Sequence, residues 1–160
     1  MQKVTLICVG KLKETFYVAA VAEYQKRLAR HCKLDIIELS EHTWNKEPSQ
    51  SEIEQALLQE AESIEEKIPK GSKVIALCVE GKEMSSESLS QMFISDASQG
   101  VSQLTFLVGG SFGMHERIKK LADVRLSVSP MTFPHHLVRV MLLEQIYRAY
   151  QIASGTHYHK

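Results

Sequence analysis

Leu126-Ser-Val-Ser-Pro-Met-Thr-Phe-Pro-His-His-Leu-Val-Arg139 is the stretch on which the fold turns. Two prolines, three hydroxyls and two histidines interrupt what would otherwise be a strand running straight into a long apolar helix. Pro130 and Pro134 remove two backbone donors and push Ser129 and Phe133 towards extended conformations. The segment is therefore a shaped loop with free carbonyls and amides, the kind of loop that binds ligands. On either side of it stand a strand, Val124 to Val128, and a helix from about His136 to Ser154. The helix carries Leu137, Val138, Val140, Met141, Leu142, Leu143, Ile146, Tyr147, Ala149 and Tyr150, far more than one apolar stripe. A helix this apolar is expected to be covered on two sides, one of them a subunit interface in a two-fold dimer.

The same strand-then-helix unit repeats upstream. Val4 to Val9 is a β-branched apolar run closed by Gly10, and Phe16, Ala20, Tyr24 and Leu28 then recur every four residues as the inner face of a helix. Leu34 to Leu39 reads as a second strand, followed by a polar loop from Glu41 to Ser49 in which Trp44 has no evident partner. Ser49 and Glu52 form a capping box for a helix with Ile53, Leu57, Ala61, Ile64 and Ile68 on one face. Lys73 to Val79 is a third strand, Ser85 or Ser86 caps a short helix bearing Leu89, Met92 and Phe93, and Gln103 to Val108 is a fourth strand. A short helix from about His115 to Leu121 leads into the fifth.

Strands that are apolar throughout and alternate with helices predict an α/β fold, a mostly parallel sheet with helices on both faces. Ligands bind such sheets at the carboxyl ends of the strands. The loops at those ends are 10–13, 80–84, 109–113 and 129–135, and the last three are expected to build a crevice.

With 160 residues the chain is read as one domain, 1–160. Nineteen basic residues balance nineteen acidic ones, so a sequence-blind nucleic-acid binder is disfavoured and an RNA partner would be recognised by a local patch or by shape. No apolar run approaches the ~20 residues of a membrane span, and Met1 to Val9 reads as a strand rather than a signal peptide. Cys8, Cys32 and Cys78 show no paired spacing, which fits reduced thiols and a cytoplasmic location.

Gly109-Gly-Ser-Phe-Gly113 lacks the Lys-Ser/Thr of a P-loop and misplaces the third glycine of the dinucleotide fingerprint. It is either a ligand-free turn or a place where backbone comes close to a flat or charged ligand. His135 and His136 are adjacent, and His157 and His159 are two apart, without accompanying carboxylates or thiols; no metal site is expected. His31 and His115 are expected to face solvent or cap a helix. There is no nucleophile elbow, and the crevice loops offer only Glu80 and Glu83 as carboxylates. Arg139 and Arg148, on an apolar helix, either snorkel to the surface or bind phosphate or carboxylate in the crevice.

Ile7-Cys-Val-Gly-Lys-Leu-Lys13, Leu107-Val-Gly-Gly-Ser-Phe-Gly113, Met131-Thr-Phe-Pro-His135, the Arg139 to Ala149 segment and Tyr158-His-Lys160 together closely resemble the RlmH family over the whole length. These are bacterial SPOUT-class methyltransferases acting on N3 of a pseudouridine in 23S rRNA of the assembled ribosome. The resemblance implies a homodimer, S-adenosylmethionine as cofactor, and a C-terminal deep trefoil knot, a feature that ordinary topology rules exclude. Carried over by position, cofactor contacts fall on Leu77, Gly109, Val128, Ser129, Pro130, Met131, Thr132 and Phe133. Removal of the weakly acidic N3 proton then calls for a nearby base or charge stabiliser. The candidates are His135, Arg139, Tyr158 and His159. Two other readings stand beside this one: a noncatalytic ribosome-associated protein of the same fold, and an α/β enzyme using the 109–113 turn for phosphates.

Overall fold

Six consecutive residues, Val4 to Val9, are buried in strand β1 (Lys3–Val9). A strand covered on both faces needs neighbours on both edges and layers above and below. In the computed structural model, which describes residues 1–156, β1 lies between β2 (Lys33–Leu39) and β4 (Gln103–Val108), parallel to both. Beyond β4 come β3 (Lys73–Glu83) and β5 (Val124–Ser127), again parallel, giving the order β2-β1-β4-β3-β5.

Helices α1 (Thr15–Leu28), α3 (Ser86–Ser98) and α5 (His135–Ala153) cover one face of the sheet, and α2 (Gln50–Lys67) and α4 (Glu116–Leu121) the other. Leu6, Phe106 and Ile75 meet Phe93, Leu142, Leu143 and Ile146 on the first face. Ile7, Leu107 and Ala76 meet Ala61, Ile64 and Ile118 on the second. Two polar ties cross the larger core. Ser90 Oγ donates to the Ala149 carbonyl at 2.8 Å, joining α3 to α5. Lys73 Nζ reaches both oxygens of the buried Asp96, at 2.7 and 2.9 Å, joining β3 to α3. The capping box of α2 forms as its sequence requires, with Ser49 accepting from Glu52 N and Glu52 reaching back to Ser49 N.

Two expectations are corrected. The third strand does not stop at Val79 but runs to Glu83, with a register shift between Leu77 and Lys82, after which Glu83 pairs with Ser127. Gly81 permits this: a Cβ there would sit 2.8 Å from the backbone of Arg125 and Leu126. Most of the expected 80–84 crevice loop is therefore sheet. The inner face of α1 is also narrower than its four-residue repeat suggests, because only Val21 and Leu28 are buried and Phe16 is 65 % exposed. The helix leans on α5 through its second half, where the Tyr24 and Tyr147 rings lie 6.4 Å apart with the Arg27 guanidinium near both. Helix α5 matches its composition, since none of its residues from 135 to 152 is exposed. No helix among the described residues is long and apolar enough to cross a membrane.

Candidate active site

The carboxyl ends of β3, β4 and β5 open into a cavity of about 590 Å³, within the ~300–1,000 Å³ usual for small-molecule sites. Its walls come from the end of β3, the glycine turn after β4, and the proline loop between β5 and α5. Leu77, Gly109, Val128, Ser129, Met131, Thr132 and Phe133, all named as cofactor contacts, line it. Pro130 does not. It sits inside a side-chain-stabilised turn in which Met131 N donates to Ser129 Oγ, and Ser127 Oγ to the Ser129 carbonyl, each at 3.1 Å. Proline there fixes the bend that turns its neighbours towards the cavity.

The glycine turn is explained largely by the chain folding on itself. A Cβ on Gly109 would lie 2.5 Å from the Gly113 carbonyl oxygen, and Gly113 N donates to the Gly110 carbonyl at 3.0 Å with Gly113 at φ +80°. The result is a wall of bare backbone on one side of the cavity. Phe112, at the tip, meets Trp44 edge-on at 5.5 Å, so the tryptophan that had no evident partner in the sequence finds one.

Polar groups gather at two places on the rim. At one, Lys119 of α4 forms an ion pair with Glu80, whose carboxyl is held below its usual range by that lysine. At the other stands His135, the first residue of α5. Its Nε2 is shielded from solvent, lacks a hydrogen-bond partner and lies 3.5 Å from Glu41 Oε2. That separation is a Coulombic contact, outside hydrogen-bond range. Burial lowers the His135 pKa below 6.5, with His136 and Arg139 adding to the effect and Glu41 and Glu14 opposing it. The ring is accordingly neutral at pH 7 and able to accept a proton.

Arg139 is placed differently. It is 1 % exposed, off the cavity wall, and neither snorkels nor faces the crevice. Nη1 donates to Glu38 Oε2 at 2.6 Å and Nη2 to the Gly10 carbonyl at 2.9 Å, and Glu38 also accepts from Leu12 N at 2.9 Å. The guanidinium thus ties the start of α5 to the carboxyl ends of β1 and β2. Arg148 is turned back on its own helix, to Glu144 at 2.7 Å. Tyr158 and His159 lie outside the described residues, as does His157.

Glu38 and Glu41 were not among the carboxylates expected at the crevice; Glu41 stands against His135 on its wall and Glu38 holds Arg139 behind it, while the expected Glu80 pairs with Lys119. The available signal was positional: both stand at the carboxyl end of β2, the same sheet edge as the crevice loops. Glu83, which was expected there, is held in the extension of β3. The thiols offer no nucleophile: burial pushes Cys8 up to about 12 and Cys32 to about 11, and Cys78, on the cavity wall, is also raised. His115 caps α4 by accepting from Arg117 N at 3.0 Å, and His31 stacks on Tyr150. Among the described residues no group of three His, Cys, Asp or Glu is placed to hold a metal ion.

Comparison with known proteins gives the class to which this chain belongs. Residues 2–159 match the family model described as "Predicted SPOUT methyltransferase". The chain is 47 % identical over 158 residues to "Ribosomal RNA large subunit methyltransferase H" of Streptococcus suis (strain 05ZYH33), covering 99 % of each chain. The protein of the same name from Streptococcus uberis is 45 % identical over 158 residues, with 99 % of each covered. A "Putative ribosomal RNA large subunit methyltransferase H" of Methanococcus maripaludis is 46 % identical over 157 residues, 98 % of this chain and 99 % of that one. The chain belongs to the RlmH family of SPOUT methyltransferases.

Proposed function

We propose that this protein uses S-adenosylmethionine to methylate N3 of a pseudouridine in the 23S rRNA of the assembled large subunit. It would do so in the cytoplasm as a homodimer, each chain a single SPOUT domain closed by a C-terminal trefoil knot. The observation that carries the reading is the cavity: the wall that holds the expected cofactor residues also holds a neutral histidine. The names of its full-length relatives support the substrate class.

The residues suit the cofactor. Leu77, Leu126, Val128 and Phe133 offer apolar walls for a purine, while the bare backbone of the glycine turn and the proline loop offers donors and acceptors to its polar edges. When bound, S-adenosylmethionine supplies an electrophilic methyl group on a sulfonium sulfur. The protein's part is alignment and proton removal. His135, neutral on the same wall, would take the N3 proton as the base becomes nucleophilic. Arg139, pinned by Glu38 and Gly10, would hold the first turn of α5 and with it the imidazole. Tyr158 and His159 are proposed to complete the site by contacting substrate.

Zero net charge suits an enzyme that recognises a composite ribosomal surface rather than phosphate alone. A second copy is supported by apolar side chains left open on α1, with Phe16 at 65 % and Val18 at 48 % exposure, beside a C-terminal helix of unusual apolarity. Calorimetry tests the cofactor: saturable binding of S-adenosylmethionine and none of a nucleoside triphosphate is expected, and the reverse would contradict the proposal. Deleting residues 158–160 is expected to abolish methylation of 23S rRNA while leaving cofactor binding intact. Unchanged turnover by the shortened chain would remove Tyr158 and His159 from the site.

A further inference from the structure

Glu41 sits where three strand ends converge, and the chain makes room for it. One oxygen, Oε1, accepts a hydrogen bond from Ser111 N at 2.6 Å, anchoring the carboxylate to the glycine turn that walls the cavity. A Cβ on Gly110 would lie 2.5 Å from that oxygen, and a Cβ on Gly10 3.2 Å from the other. Two glycines in the turns after β1 and β4 thus clear the pocket that a carboxylate from the β2–α2 loop occupies. The free oxygen, Oε2, is the one 3.5 Å from His135 Nε2.

Nε2 has no other partner and is shielded from solvent, so the side chain's 22 % exposure lies elsewhere on it. A buried N–H or lone pair left alone is costly, and a carboxylate can only accept. The arrangement therefore favours the tautomer with its proton on Nε2. Hydrogen bonds of catalytic groups are often long in the unliganded state and tighten in the complex.

We infer that Glu41 is a positioning residue: its carboxylate faces Nε2 of His135, holds the ring's own proton on that nitrogen, as an N–H whose hydrogen bond closes when substrate binds, and so leaves Nδ1 as the nitrogen that takes the substrate's proton. This rests on the reading of His135 as the proton acceptor. The other charged groups facing the imidazole do not supply such a contact. Glu14, ahead of α1, lies 3.6 Å from Nδ1 of His136, and Arg139, also on α5, is matched by Glu38 of β2. His136 packs its ring edge against that of His135 at 4.2 Å, and with Arg139 it opposes protonation of His135, which leaves Glu41 and, with a smaller effect, Glu14 to favour it.

Nitrogen-15 correlation spectra of the imidazoles of the full-length protein, recorded without cofactor, test this directly, with the His135 signals assigned by their loss in His135→Gln. The wild-type protein should carry its proton on Nε2. In Glu41→Gln the amide oxygen can keep the Ser111 bond and present its NH2 to Nε2, so the proton should move to Nδ1 and the His135 titration midpoint should fall. Methylation by that variant should drop at least tenfold in kcat, as expected for loss of correctly placed general-base help, with the KM for S-adenosylmethionine unchanged. Wild-type protein with the proton on Nδ1 would overturn the inference whatever the variant does. An unchanged tautomer and midpoint in Glu41→Gln would overturn it too, leaving Glu41 as an anchor for the turn. Absence of methylation by the wild-type protein would instead count against the proposed function, and the spectra would still decide the role of Glu41.

Discussion

The proposed role of His135 as base suits its setting, a partly buried place between two carboxylates and two cationic or titratable neighbours where desolvation disfavours the charged ring. Replacing it by Ala is expected to lower kcat by ~10²–10⁴-fold, the usual worth of a general base, with little change in S-adenosylmethionine affinity by calorimetry. Full turnover would dismiss it. The same burial couples to stability. The folded pKa lies below the unfolded value of 6.5, so as pH falls the unfolded chain takes up the proton first. The contribution of this group is complete above pH 6.5 and is lost as pH falls towards the folded value. Urea unfolding across that window should show His135→Gln losing less stability on acidification than the wild type, and parallel curves would contradict the assignment. The place of His135 on the cavity wall was legible in the sequence, since it stood in a shaped loop at a strand end. Glu41 was not, because its meaning lies in two glycines and a histidine distant in the chain, and a polar loop ahead of a capping box gives no sign of what it faces.

At the level of elements, the strands were legible because a parallel sheet covered on both faces demands near-continuous apolar runs, and Val4 to Val9 and Leu104 to Val108 are such runs, each broken only by one buried threonine, Thr5 or Thr105. The helix starts were legible where a side chain caps them, at Ser49 and Ser85. The end of β3 was not, since residues 80–83 read as polar loop and continue as strand only because Gly81 lets β5 come close. The outward turn of Phe16 was equally hidden, because a four-residue repeat marks a helix face without saying how far along it the sheet extends. Two consequences can be measured by urea unfolding. Ser49→Ala, which removes the cap oxygen of α2, should cost ~1 kcal/mol. Asp96→Ala, which strands the Lys73 ammonium at the β3–α3 junction, should cost about 3 kcal/mol, because breaking a largely buried pair leaves an uncompensated charge. A loss under half a kilocalorie in the second case would show that water replaces the carboxylate.

For the whole molecule, the parallel sheet and its crevice follow from element order, and the RlmH resemblance read from local motifs holds over the full length in the comparisons. Substrate identity was never carried by composition: a neutral chain with no basic excess gives RNA recognition no electrostatic signature. The substrate proposed above rests instead on the cavity, on the histidine at its rim and on the names of full-length relatives. The most direct test is mass-spectrometric comparison of 23S rRNA nucleosides from cells with and without this protein, repeated with His135→Ala restored in its place. Loss of a single N3-methylated pseudouridine, regained with the wild-type chain and not with the variant, is the predicted result. Identical methylation of 23S rRNA in the presence and absence of the protein would contradict it.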